Sequence, residues 1–101
     1  MAEHVFTARL WLWDARRTDT WTFVTLPEGV SAAVADEALA QGPPKGFGSV
    51  RVQVRIGAST WSTSVFPDAE SGCYVLPIKR AVRVAEAVEA GDEATVELQV
   101  R

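Results

Sequence analysis

Val50-Arg51-Val52-Gln53-Val54-Arg55-Ile56-Gly57-Ala58-Ser59-Thr60-Trp61-Ser62-Thr63-Ser64-Val65-Phe66 is the stretch on which the fold turns. Val50, Val52, Val54 and Ile56 alternate with Arg51, Gln53 and Arg55. Successive strand side chains point to opposite faces, so this period of two describes a half-exposed strand with its valines in the core. Gly57-Ala58-Ser59 makes a tight turn, and residues 60–66 return as the second arm of a hairpin. On that arm Trp61, Thr63 and Val65 are expected to face one way and Thr60, Ser62, Ser64 and Phe66 the other.

Upstream, residues 3–13 also alternate and read as one strand. Phe6, Ala8, Leu10 and Leu12 share one face; Val5, Thr7, Arg9, Trp11 and Trp13 share the other. Residues 14–20 are a polar turn, and residues 21–26, β-branched and aromatic, pair back until Pro27 ends them. Residues 28–41 carry Val30, Val34, Ala38 and Leu39 at helical spacing, with Glu28 suited to the positive end of the helix dipole. Gly42-Pro43-Pro44 stops that helix, and residues 45–49 form a glycine-bearing loop.

Downstream, Pro67-Asp68 and Ser71-Gly72 bracket a loop before a short strand over residues 73–76. Residues 79–88 form a short surface helix with Val82, Ala85 and Val88 on one side. Gly91-Asp92 turns the chain into residues 95–100, where Val96, Leu98 and Val100 face the core. The order β-β-α-β-β-β-α-β describes a mainly β protein. About six strands form a small closed or split barrel, capped by two short α-helices, within one domain spanning residues 1–101. Barrel closure also removes free strand edges. Phe23-Val24-Thr25-Leu26-Pro27 and Tyr74-Val75-Leu76-Pro77 each precede a helix, which suggests two similar halves around one barrel.

Composition narrows the chemistry. The 101 residues carry a net charge of −3, the wrong sign for a domain that grips nucleic acid through its phosphates. Cys73 and His4 are each the only residue of their kind. No internal disulfide can form, a zinc site of the usual ligands is not expected, and a Ser-His or Cys-His catalytic device would depend on His4 near the terminus. The expectation is a protein that is not an enzyme and uses no cofactor. No apolar run approaches the ~20 residues of a membrane span, and the start lacks a secretory signal, so the expected location is cytoplasmic.

Three groups are candidates for recognition. Trp11, Trp13 and Arg9 share a strand face that is either buried, under a helix for instance, or an aromatic wall for a ligand or partner. Trp61 and Ser62 lie on a strand rich in hydroxyls, which are either ordinary strand residues or part of a pocket beside an indole. Lys79, Arg80 and Arg83 open the second helix, where cations oppose the dipole; they either bind an anion or pair with Glu86 and Glu89. Arg51 and Arg55 read as a solvated face, and Cys73 as a small buried hydrophobe. The favoured reading is a module that binds a small anionic ligand, an acidic peptide or a partner protein near the second helix, as a monomer or homodimer.

The stretches Trp21-Thr22-Phe23-Val24-Thr25-Leu26-Pro27, Gly46-Phe47-Gly48-Ser49-Val50-Arg51-Val52, Thr60-Trp61-Ser62-Thr63-Ser64-Val65-Phe66-Pro67 and Tyr74-Val75-Leu76-Pro77-Ile78-Lys79, with Gly91-Asp92, resemble the DUF1905 family. That resemblance implies a bacterial or archaeal domain of unknown function built as a split β-barrel capped by helices. It brings no established catalytic residues. The helix-Gly-Asp-strand ending also looks like that of the AbrB and MazE DNA-binding barrels, so a nucleic-acid-binding barrel is the alternative reading.

Overall fold

The alternation of residues 50–56 sorts as strand geometry requires: Val50, Val52, Val54 and Ile56 are buried, while Arg51 and Arg55 are exposed. A computed structural model describes residues 3–14, 20–42 and 48–101. The chain runs β1 (Glu3–Arg9), β2 (Trp11–Asp14), β3 (Thr20–Thr25), α1 (Glu28–Ala40), β4 (Val50–Ile56), β5 (Ser59–Pro67), β6 (Tyr74–Pro77), α2 (Arg80–Glu86) and β7 (Glu93–Val100). The polar turn at residues 15–19, and Pro43-Pro44 with most of the glycine-bearing loop, lie outside the described residues.

β4 and β5 pair with Ile56 opposite Ser59, leaving Gly57 and Ala58 as the whole turn. Gly57 has φ +59° and Ala58 is not in the positive-φ region, so this is the two-residue turn that needs glycine first. The sheet order is β1-β7-β4-β5-β6-β3-β2, and every pairing is antiparallel. Its two end strands are consecutive in the chain, separated only by Leu10. The sheet therefore curls until one bent segment serves both of its ends.

That bend corrects the reading of residues 3–13 as one strand. The buried Leu10 leaves the pairing, while its N–H donates to the Asp92 carbonyl at 2.9 Å and its carbonyl accepts from Gly91 N–H at 2.8 Å. The segment can then leave β7 and join β3. Inside-outside alternation does not survive the turn. Phe6 and Leu10 are buried, but Leu12, assigned to the same face, is exposed.

Leu26, Val52, Val54, Val65, Leu76 and Leu98 fill the barrel, with Val34 of α1 and Val82 of α2 closing over it. Of the apolar residues expected on α1, Val34 is buried, Val30 and Ala38 are half-buried, and Leu39 faces solvent. Steps of four residues keep 30, 34 and 38 on one stripe, and Leu39 falls a further 100° round. On α2, Ala85 is exposed, because the helix ends at Glu86 and Ala87 turns left-handed at φ 55°.

The suspected repeat is present, but in a different register from its Leu-Pro signature. α1 starts at residue 28 and α2 at residue 80, an offset of 52. Leu26 N–H donates to the Tyr74 carbonyl at 2.9 Å and Ile78 N–H donates to the Thr22 carbonyl at 2.8 Å, a reciprocal pair related by that offset. Exchanging β3 with β6, β4 with β7, α1 with α2, and the bent β1–β2 segment with β5 maps the strand order onto itself. Leu26 thus corresponds to Ile78, and Pro27, at the N-cap of α1, to Lys79, at the N-cap of α2. Pro77 belongs to β6 opposite Phe23, just beyond the β5 pairing that ends at Val75, where no ladder donor is needed.

Candidate functional site

Three elements converge beside the first turn of α2. β3 supplies Trp21 and Thr22; β5 supplies Trp61, Ser62 and Thr63; the segment from Pro77 through α2 supplies Ile78, Lys79, Arg80 and Arg83. Together they border an open concavity of about 850 Å³, within the roughly 300–1,000 Å³ of small-molecule sites. Trp61, Ser62, Lys79, Arg80 and Arg83 therefore lie around one hollow, although the hairpin and the helix are separated by the whole β5–β6 loop.

The cations are not neutralised there. Glu86, one candidate partner of Arg83, turns the other way and accepts a 2.6 Å hydrogen bond from Ser59 Oγ on the β4–β5 hairpin. Among the described residues, no carboxylate comes within 4.0 Å of Lys79, Arg80 or Arg83. Arg83 Nε donates to the Ile78 carbonyl at 3.1 Å, which anchors that side chain at the rim. α2 has only seven residues, and the Val82 and Arg83 N–H groups both reach the Lys79 carbonyl. The positive charge at the hollow is therefore that of the three side chains, not of the helix end.

Other assignments change in detail. Trp61 is 8% exposed and belongs mainly to the core, so only its edge reaches the hollow. Ser62 Oγ donates to Gln53 Oε1 at 2.7 Å and accepts from an Arg101 guanidinium nitrogen at 2.7 Å, so that hydroxyl is already engaged. Arg9, Trp11 and Trp13 do not border the hollow. Arg9 lies 4.0 Å from Glu93 on the exposed outer face of β1. Cys73 is half-buried instead of sealed in the core. His4 Nε2 lies 2.8 Å from Glu37 Oε2, joining β1 to α1. Asp68 and Asp92 both close turns. The Ser71 hydroxyl and N–H hydrogen bonds hold the Asp68 carboxyl below the usual carboxylate range, and Asp92 accepts from Glu89 N–H at 3.0 Å.

Trp11 is half-buried and Trp13 is exposed on β2, while the main seats of the helices are β7 for α1 and β5 for α2. Trp11 sits opposite Phe23 and Trp13 opposite Trp21, so four aromatic residues share one face of the β2–β3 ribbon. Trp11 is the fixed end: its Nε1 donates to Thr25 Oγ1 at 2.9 Å and its ring lies 5.2 Å from Phe23. Trp13 and Trp21 are the open end, 49% and 52% exposed. Trp21, not among the residues nominated above, carries this wall into the hollow. Its signal was the Trp13–Trp21 pairing, which depends on a hairpin register that the polar turn does not reveal.

The internal repeat supplies a control. A second concavity, of about 640 Å³, is bordered by Glu28, Ser31, Cys73 and Tyr74 among others. At an offset of 52 these correspond to Arg80, Arg83, Trp21 and Thr22. The niche thus occurs twice, basic with an indole in one copy, acidic with a thiol in the other. Equivalent helix starts fold with Pro27-Glu28 or with Lys79-Arg80, so the barrel itself does not require cations at that place.

Among the described residues, no group of three or more His, Cys, Asp or Glu is placed to hold a metal ion. No helix there is long and apolar enough to cross a membrane. Comparison with the curated proteins finds no match. The family model described as a domain of unknown function, DUF1905, matches residues 6–98, nearly the whole chain, and the protein belongs to that family.

Proposed function

We propose that the protein is a binding module without catalysis of its own, and that it takes an anionic small molecule or an acidic peptide in the hollow beside α2. The observation that carries this reading is the placement of Lys79, Arg80 and Arg83 around one concavity, clear of any carboxylate among the described residues. Three positive charges gathered at one spot on a chain of net charge −3 repel one another, and an anion relieves that repulsion. The related niche around Glu28 and Ser31 supports a functional origin for the charge, since the fold forms there without it. Arginine and lysine together offer both the planar fork and the mobile point charge that carboxylates and phosphates accept. The nucleic-acid alternative finds less support: Arg51 and Arg55 are not among the residues that border the hollow, and Arg55 Nε is bound to the Gly57 carbonyl.

The test is a titration of isotope-labelled protein with inorganic phosphate at low salt, followed by amide NMR. Shifts should concentrate on residues 62–63 and 78–83. They should vanish in the Lys79→Ala/Arg80→Ala double variant, whose two side chains are exposed and should leave thermal stability within about 0.5 kcal/mol of the parent. Shifts scattered over the surface, or unchanged in the double variant, would overturn the reading.

A further inference from the structure

We infer that the ligand of this hollow is a nucleoside phosphate, a flat ring carrying its negative charge on a short arm. This rests on the anion reading above and adds the ring. The motive is Trp21. It is 52% exposed, yet it is not loose: its ring stacks on Phe23 with centroids 6.3 Å apart and planes 15° apart. Phe23 is in turn packed against Trp11, whose indole N–H is tied to Thr25. A large apolar ring, stacked on one side, thus borders the same hollow as Lys79, Arg80 and Arg83.

Each half of that arrangement selects for one half of a nucleotide. An indole fixed on one side by another aromatic leaves its exposed part ready for a further flat group, with little entropy left to lose on stacking. Lys79, Arg80 and Arg83 suit a phosphate, which presents several acceptor oxygens to several donors at once. Thr63, half-buried on β5, also borders the hollow, and its hydroxyl is of the kind that meets a sugar. A bare anion leaves Trp21 unused, and an uncharged aromatic leaves the cations unmatched. The related niche has Cys73 where this one has Trp21 and Glu28 where this one has Arg80, and its aromatic residue is the half-buried Tyr74, at the position of Thr22.

The same chemistry is offered by a free mononucleotide and by a nucleotide of a single strand, so the experiment includes both. Calorimetric titrations of the full chain at low salt compare AMP, ribose 5-phosphate, adenosine and a short oligoadenylate. AMP should bind about tenfold more tightly than ribose 5-phosphate, the gain expected of one base stacked on an aromatic side chain. Adenosine should bind more weakly than AMP. The gain should disappear in Trp21→Ala and survive in large part in Trp21→Phe. Oligoadenylate binding above AMP, with a steeper salt dependence, assigns the site to strands; equal or weaker binding assigns it to free nucleotides. Equal affinities for AMP and ribose 5-phosphate would overturn the ring while leaving the anion site intact. A gain that persists in Trp21→Ala would overturn it as well. No binding of AMP, ribose 5-phosphate or inorganic phosphate would overturn both this inference and the anion reading beneath it.

Discussion

Replacing Gly57 by alanine should destabilise the protein by about 2 kcal/mol, and the structure says where that figure comes from. Gly57 sits at φ +59°, a conformation that costs a residue with a Cβ roughly 1–2 kcal/mol. The added methyl would also collide with Glu86, whose Cδ would lie 2.8 Å from it and whose Oε1 would lie nearer still. Glu86 is the far end of a flexible side chain and can move, but moving breaks its 2.6 Å bond from Ser59 Oγ. Losing that hydrogen bond at a half-exposed site costs about 1 kcal/mol. Alanine also stiffens the unfolded chain, which returns about 0.5 kcal/mol. The net loss of about 2 kcal/mol should appear as a fall in Tm of roughly 8–16 °C by calorimetry. Repeating the change in a Glu86→Ala background isolates the carboxylate. There the penalty should shrink by about 1 kcal/mol, because only the backbone strain is left. A penalty of the same size in both backgrounds would refute the role given to Glu86. A loss below about 0.5 kcal/mol in the parent would refute the strain argument too.

The remaining predictions concern other parts of the frame. Leu98→Ala, at a fully buried β7 position opposite Val54, should cost about 2–5 kcal/mol in urea unfolding, whereas Leu39→Ala on the exposed side of α1 should stay within about 0.5 kcal/mol. Ser31→Ala should cost about 1–3 kcal/mol, because Ser31 Oγ is the acceptor, at 2.8 Å, for the Tyr74 N–H where α1 meets β6; a neutral result would mean that water replaces it. Asp68 has its folded-state pKa lowered by Ser71, so its contribution to stability is full above the ordinary carboxylate range and is lost as pH falls through the lowered value. Tm measured against pH should therefore fall less steeply on the acid side in Asp68→Asn than in the parent, and parallel curves would remove Asp68 from the account.

Much of the barrel was legible because its strands obey one rule. Val50 to Ile56 and Val96 to Val100 alternate cleanly, and their burial follows. The rule stops where the chain bends. Leu10 marks the point at which one strand changes partners, and neither alternation nor propensity carries information about a partner change, so alternation groups the exposed Leu12 with the buried Leu10. The repeat was visible as a Leu-Pro pair but out of register, because Leu26 and Leu76 are both core plugs at positions that are not equivalent. At the hollow, Lys79, Arg80 and Arg83 could be picked out because basic residues at a helix start run against local electrostatics. Trp21 could not, since its role comes from standing opposite Trp13 and beside α2, two long-range facts. Nor could it be foreseen that Glu86 would leave Arg83 for Ser59, a choice made by the hairpin packed beneath it.

The pairing of β1 with β7 governs the order of events when the protein is made. β7 lies between β1 and β4 in the sheet, and Thr7 meets Thr95 through their hydroxyls at 3.1 Å across a sequence separation of 88. The β4–β5 hairpin can form on the ribosome as soon as residue 67 has emerged, but β1 has no neighbour to bond until the last strand follows it out. β1 must wait for β7, with Phe6 uncovered by that strand in the meantime. Closure is thus a late, non-local step, of the kind that places β-rich domains in the millisecond-to-second range of folding times. Truncating the chain within β7 would strand both β1 and β4 at once, leaving an open sheet with two sticky margins.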